Sequence, residues 1–111
     1  MTVVHTTYIH TSVDVLYSIG GLEFVWNVHK AAVNLEKHGI RFEQACEVFF
    51  DPLARTLDAG TSAESRDALV GETEQGHLLF VVHIEHDADA IRIISARPAT
   101  AAERSAYEDD A

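Results

Sequence analysis

The chain has 111 residues, a formal net charge of −10 and an apolar content of 47%. This length suits one domain, and the apolar content excludes a globally disordered chain. The single cysteine, Cys46, excludes an intrachain disulfide, and the negative charge disfavours nucleic-acid binding unless a local basic site overcomes it.

The first residues differ in composition from the rest of the chain. The β-branched segment "TVVHTTYIHTSV" favours a strand, and "SIGG" ends it. We therefore predict that residues 1–21 are an N-terminal extension, an extra strand or arm, before a domain spanning 22–111. The N-terminus lacks a basic leader followed by an apolar run, and no apolar stretch approaches the ~18 residues of a membrane span. A cytoplasmic protein with no membrane contact is expected.

A strand at 22–26 and a helix at 28–38 follow the extension. Asn27 is a plausible N-cap because its side chain can accept hydrogen bonds from free backbone N–H groups. Gly39 ends the helix, since glycine adopts the left-handed conformation without a Cβ clash. The helical spacing i, i+3, i+4, i+7 predicts a buried apolar stripe. Its members are Val28, Ala31, Ala32 and Leu35.

A second helix is predicted over residues 42–50. Its apolar stripe consists of Phe42, Ala45, Cys46 and Phe49, which makes Cys46 a buried small hydrophobe. Pro52 helps to end it because the residue before a proline avoids the α region. The two helices form a helical hairpin or elbow.

The remainder is mostly strand. Strands are predicted at 53–58, 67–73, 77–85 and 91–97, with loops at 59–66, 74–76 and 86–90. Thr100 and Glu103 form the T-x-x-E capping box of a C-terminal helix. The short connections favour an α+β domain in which an antiparallel sheet of about four to five strands packs with two short N-terminal helices and the C-terminal helix.

Basic residues cluster on the first helix. Lys30, Asn34 and Lys37 lie at i, i+4 and i+7, and His38 falls beside them, so one face offers two ammonium groups and an imidazole. The alternative is a solvated helix face, in which Lys37 and His38 complement the negative helix end.

The last strand carries Arg92 and Arg97. In a regular strand these residues point to opposite faces, so they can serve one site only if a bulge or the strand end intervenes. The interpretation favoured by the spacing is that one contacts a ligand while the other braces the last helix, through Glu103 or Glu108. His83 and His86 likewise point to opposite faces, which argues against a metal site.

Three segments carry a family resemblance. They are "FVWNVHKAAVNLEKHGIRFEQACEVFFDP" (24–52), "ESRDALVG" (64–71) and "IRIISARPATAAERSAY" (91–107). Their combination of K-H-G, F-E-x-A and S-A-R-x-A-T resembles the BrnT family of type II toxins, which share a RelE-like ribonuclease fold.

The resemblance implies a metal-independent endoribonuclease that inhibits growth by cleaving RNA, uses no cofactor, and is neutralised by a ribbon-helix-helix antitoxin. The residues that it places in the site are Lys30, Lys37, His38, Glu43, Arg66, Arg92, Arg97 and Tyr107. Structural uses remain open for Glu43, as a helix cap or bridge, and for Tyr107, as a packing residue. The alternatives for the whole chain are a catalytically inactive protein-interaction module and an orphan protein that forms a homodimer through its extension.

Overall fold

The computed structural model of the protein describes residues 3–9, 12–58, 66–85 and 90–109, with 3–9 and 12 described by their backbone. Within these ranges the chain forms seven strands, three α-helices and one 3₁₀ turn. In chain order they are β1 (Val3–Ile9), β2 (Ser12–Ile19), β3 (Leu22–Asn27), α1 (Val28–His38), α2 (Phe42–Glu47), the 3₁₀ turn (Val48–Phe50), β4 (Arg55–Asp58), β5 (Asp67–Glu72), β6 (Leu78–Glu85), β7 (Ala90–Pro98) and α3 (Ala101–Glu108). The predicted loops fall largely on 59–65 and 86–89, outside the described residues.

The strands form one mixed sheet in the order β1-β2-β3-β7-β6-β5-β4. The α+β class is confirmed, but the prediction of four to five antiparallel strands is wrong in two respects. Residues 1–21 hold two strands, with β2 paired to β3, and β3 pairs with β7 in parallel. The parallel pair joins residues that are 67 positions apart, Phe24 and Ile91, and local connection lengths carry no information on such a neighbour.

The main core lies between one face of the sheet and the helical elbow. Its large buried side chains include Phe24, Trp26, Phe42, Leu79 and Ile93. The edge-to-face contacts of Trp26 with Phe42 and of Phe24 with the half-buried Phe49 join the sheet to α2 and the turn after it. The stripe predicted for the second helix therefore packs as expected, with Cys46 fully buried.

The stripe predicted for α1 is wrong except at Ala31, which is half-buried against the core. Val28 and Leu35 are 36% and 39% exposed, Ala32 is exposed, and the buried residue of this helix is Asn34, at 6% exposure. The reason is that α1 lies beside β7 where β3 no longer pairs with it, since β3 pairs only with residues 90–92. The backbone groups of β7 beyond that point need hydrogen-bond partners, which an alkyl side chain cannot supply.

The predicted helix ends are confirmed. The Asn27 side chain accepts hydrogen bonds from the backbone N–H groups of His29 and Lys30, and Gly39 has a φ of 73°. The Thr100 and Glu103 side chains accept reciprocally from each other's backbone N–H groups. No helix in the described part of the chain is long and apolar enough to cross a membrane.

Candidate functional site

An open groove of about 330 Å³ lies between α1 and β7, and we call it the α1–β7 groove. Most of its wall is one side of α1, and the rest is the middle of β7. The lining residues are His29, Lys30, Val33, Asn34, Lys37, His38, Ile94 and Ser95. Three of the eight predicted site residues, Lys30, Lys37 and His38, are therefore brought together here.

Two neighbouring rows on α1 build this wall. His29, Val33 and Lys37 are spaced four residues apart, and Lys30, Asn34 and His38 form a parallel row one position later. Sequence reasoning identified the second row and also Lys37 of the first row. It missed His29, although the same spacing places His29 one turn before Val33. Ile94 and Ser95 were missed because nothing local shows that β7 lies against α1.

Asn34 holds the groove together. Its side-chain amide N–H groups donate to the carbonyl oxygens of Ile40 and Ala96, at 3.0 and 2.8 Å. Its amide oxygen accepts from the Ala96 backbone N–H at 3.1 Å. One buried side chain thereby ties the end of α1 and the residue after Gly39 to β7, which fixes the two walls of the groove relative to each other.

The basic groups of the groove face solvent and have no acidic partner among the described residues. His29, Lys30 and Lys37 are exposed and His38 is half-buried. The ion pairs of Arg92, Arg97 and Arg104 lie outside the groove lining. The groove is thus a local concentration of positive charge on a chain whose net charge is −10.

A β-bulge changes the expected directions of the two arginines on β7. Val82 pairs with Ser95 and His83 with Ile93, which leaves Ile94 as an extra residue. Ile93 and Ala96, three positions apart, consequently both enter the core. Arg92 precedes the first and Arg97 follows the second, so both point to the face opposite the core, on either side of the groove-lining residues of β7. The prediction of opposite faces applies to a regular strand, with a bulge as the named exception, and the structure has that bulge.

Both arginines are nevertheless neutralised. Arg92 donates to Asp14 on β2, with an Nη2–Oδ2 distance of 3.0 Å. Arg97 binds both carboxylate oxygens of Glu103 at 2.8 Å, and its guanidinium lies 4.2 Å from the centre of the Phe80 ring. The hydrogen bonds from Arg97 hold the pKa of Glu103 below its usual value. Arg97 thus braces α3.

The remaining candidates do not line the groove. Glu43 is exposed in the first turn of α2, and Arg66 is half-buried immediately before β5. The Tyr107 hydroxyl donates to Asp51 Oδ2 at 2.6 Å and so ties α3 to the end of the 3₁₀ turn. Burial and the nearby Asp51 carboxylate raise the pKa of Tyr107. Its hydroxyl is committed to this contact with Asp51.

Two further reactive groups are buried in the core. Burial raises the pKa of the Cys46 thiol and lowers the pKa of His83, whose ring lies 4.9 Å from that of Phe49. Neither group is available to a ligand. Within the ranges that the structure describes, no group of three His, Cys, Asp or Glu side chains could hold a metal ion.

The groove and its surroundings define a small α+β domain with an open cationic cleft, suited to binding an anionic, phosphate-bearing ligand. Comparison with known proteins makes the class specific. The model of a family described as ribonuclease toxin, BrnT, of type II toxin-antitoxin systems matches residues 26–103. This chain belongs to that family.

A solved structure supports the assignment. The 1.1 Å crystal structure of the Brucella abortus ribonuclease toxin BrnT is similar to this chain with a TM-score of 0.58 and 27% sequence identity, covering 69% of this chain and 95% of the other. A comparison with curated protein sequences gave no match. The hairpin of β1 and β2 lies outside the residues that the family model matches.

Proposed function

We propose that this chain is a metal-independent endoribonuclease that cleaves RNA in the α1–β7 groove, within a RelE-like toxin fold. The observation that carries the proposal is the convergence of two lysines and two histidines, without an acidic partner among the described residues, on a strongly acidic chain. Family membership supports the choice of RNA as the phosphate-bearing ligand.

The proposed chemistry is attack of a ribose 2′-oxygen on the adjacent phosphorus. His38 takes the proton of the 2′-hydroxyl, the new P–O2′ bond forms, and the P–O5′ bond breaks. The 5′-oxygen takes a proton from solvent water, leaving a 2′,3′-cyclic phosphate and a 5′-hydroxyl, and His38 returns its proton to solvent. Lys37 stabilises the negative charge on the pentavalent phosphorus centre. Because proton transfer and a fixed cation suffice for this reaction, cleavage should persist in a chelator.

The remaining candidate site residues stay predictions, and we propose less direct roles for them. Arg92 and Arg97 come before and after the groove-lining residues of β7 in the chain, and are proposed to contact the RNA strand only when released from their carboxylates. Glu43, Arg66 and Tyr107 lie outside the groove lining, and we assign them no step in the reaction.

The proposed partner is a ribbon-helix-helix antitoxin that neutralises the enzyme in the cytoplasm and whose dimer binds operator DNA through a β-ribbon. Without this partner, expression of the chain should arrest growth. An acidic toxin surface would speed encounter with a basic antitoxin segment. A homodimer formed through the extension also stays a prediction.

The test is cleavage of a single-stranded RNA by the purified chain in EDTA, with analysis of the product ends. Replacing Lys37 and His38 together by alanine should lower the rate at least about 100-fold, the contribution expected of general acid–base catalysis. Stability should change by no more than about 1–2 kcal/mol, as for surface and helix-end residues. Arg104→Ala, which removes an exposed cation from α3, is the matched control and should retain activity.

The second candidate function is a catalytically inactive protein-interaction module. The observation that favours it is the neutralisation of both β7 arginines by carboxylates. Intact RNA after incubation with the folded wild-type chain, together with tight antitoxin binding, would establish this function instead.

A further inference from the structure

We propose that the α1–β7 groove binds a single unpaired nucleotide with a separate phosphate at each end. Lys37 and His38 hold the phosphate that is cleaved, and His29 and Lys30 hold the neighbouring phosphate of the same strand. This assignment rests on the proposed function, because it takes the ligand to be RNA.

The spacing along α1 separates the two ends. Each end has one lysine and one histidine, and Lys30 and Lys37 are seven residues apart, which is about 10 Å along a helix axis. That offset exceeds the width of one phosphate group. Two ammonium groups also repel each other when they are drawn to one point. The pairs therefore take successive phosphates of one strand rather than a single phosphate.

The middle of the groove is apolar. Val33 is 63% exposed, and Ile94 of β7 lines the same groove. An unpaired base has exposed faces that gain from covering such a surface, whereas a base stacked in a duplex does not. The arrangement of cation, apolar surface and cation follows the arrangement of phosphate, base and phosphate along a single strand.

Local structure distinguishes the two ends. His38 is half-buried next to Gly39, and Asn34 fixes the backbone around it through Ile40. A reacting group needs such a fixed position. His29 and Lys30 are exposed in the first turn, where the positive end of the helix dipole favours an anion. Lys37 and His38 therefore suit catalysis, and His29 and Lys30 suit binding.

The groove offers little for reading the identity of the base. The Asn34 side-chain amide makes three hydrogen bonds, and all of them go to backbone groups of Ile40 and Ala96. Among the described lining residues this leaves the Ser95 hydroxyl as the neutral polar side chain that can reach a base edge. We therefore expect cleavage of single-stranded RNA with weak base preference.

The test compares synthetic RNAs that contain one cleavable bond. The first is a dinucleotide with one phosphate, in which the 3′ nucleotide is 2′-O-methylated. The second carries an additional 2′-O-methyl nucleotide, on either side, which adds one phosphate and no cleavable bond. For the wild-type chain, kcat/KM should rise about tenfold with the second phosphate, the factor expected of one charge-assisted hydrogen bond. Lys30→Ala should abolish this rise, so that its kcat/KM is the same on both substrates, while the Arg104→Ala control keeps the rise.

Two results would overturn the assignment. One is the absence of any rise in the wild type on either side, and the other is an equal loss on both substrates in Lys30→Ala, which would place Lys30 at the cleaved phosphate. Equal cleavage of the same sequence in a stable duplex would contradict binding of an unpaired base.

Binding of fully 2′-O-methylated strands separates this inference from the proposed function. If RNA is not cleaved, but the wild type prefers two phosphates and Lys30→Ala does not, the two-phosphate groove is supported and the nuclease proposal fails. If RNA is cleaved without any preference for two phosphates, the nuclease proposal is supported and this inference fails. If strands are neither cleaved nor bound, both fail.

Discussion

Two sets of basic side chains in this protein differ in their electrostatic partners. The lysines of α1, Lys30 and Lys37, make no ion pair within the described part of the chain and face an open groove. The arginines of β7, Arg92 and Arg97, lie outside the groove lining and each binds a carboxylate. The motifs of the sequence do not distinguish the two sets, because both belong to the same family pattern.

The difference shows that net charge is a poor guide to where an anion binds. A charge of −10 predicts repulsion at a distance, but exposed charges are screened beyond roughly 8 Å at physiological salt. A ligand in the groove therefore responds mainly to the side chains that line it. The arginines have little excess positive charge to offer until their carboxylates are removed or displaced.

The largest expected effect concerns Asn34, which makes the groove a fixed site. Asn34→Ala removes three buried hydrogen bonds and leaves the Ala96 and Ile40 backbone groups without partners. We expect a loss of about 3 kcal/mol in the free energy of unfolding, because each unpaired buried group is costly. Chemical denaturation measures it, with the exposed Glu36→Ala on the same helix as the control.

The folded fraction of Asn34→Ala should also cleave RNA more slowly, since α1 is no longer held against β7. A decrease of less than about 1 kcal/mol in the free energy of unfolding of Asn34→Ala would show that these hydrogen bonds do not fix the groove. The α1 lysines would then not lie on a surface that Asn34 holds in place, and this difference from the β7 arginines would disappear.

The next effect concerns the ion pair of Arg97 with Glu103, whose contribution to stability depends on pH. Arg97 holds the pKa of Glu103 below the ordinary 4.5, so the folded state binds this proton less readily than the unfolded state. The stabilisation is complete above about pH 4.5 and is lost as the pH falls through the lower folded pKa. Glu103→Gln keeps an acceptor for the Thr100 N–H but loses the charge, and should cost about 1 kcal/mol at pH 7.

Denaturation of wild type and Glu103→Gln across pH 2–7 checks this expectation. The two curves should converge at the acidic end, where the wild-type carboxyl is also neutral. A difference that stays constant with pH would mean that the loss comes from packing, and that Arg97 is not electrostatically committed to α3.

The elements that the sequence predicts well depend on near neighbours. Asn27 caps α1 through residues two and three positions away, and Thr100 caps α3 through Glu103. Gly39 requires only its own backbone freedom. For such features the sequence window contains all the interacting atoms, so the pattern and the structure agree.

The features that the sequence did not predict depend on distant neighbours. Asn34 reads as one more polar residue of a solvated face until β7, 62 positions later, is placed beside it. The bulge at Ile94 depends on the pairing with β6, and it decides where Arg92 and Arg97 point. The sequence therefore predicted which types of residue the candidate site uses better than which residues lie together in it. His29 lines the groove but was missed, whereas Tyr107 was predicted but binds Asp51 elsewhere.

The smallest expected effect tests whether a β7 arginine can be released from its carboxylate, so that it becomes like the α1 lysines. Asp14 comes from β2, outside the residues that match the family, and it neutralises an arginine within them. Asp14→Asn keeps the shape and a hydrogen-bond acceptor but removes the charge that holds Arg92. The released guanidinium can then contact a phosphate of a strand lying in the groove.

We expect Asp14→Asn to bind a non-cleavable 2′-O-methyl RNA about threefold more tightly at low salt, equivalent to about 0.6 kcal/mol. The slope of log affinity against log salt should steepen by about 0.7, the value for one added contact to a single-stranded phosphate. Glu23→Gln is the matched control, because it changes the net charge equally from an exposed position on β3. If both variants shift affinity and slope alike, only the overall charge has changed. A steeper slope confined to Asp14→Asn would instead show that the extension limits how many cations this protein presents to RNA.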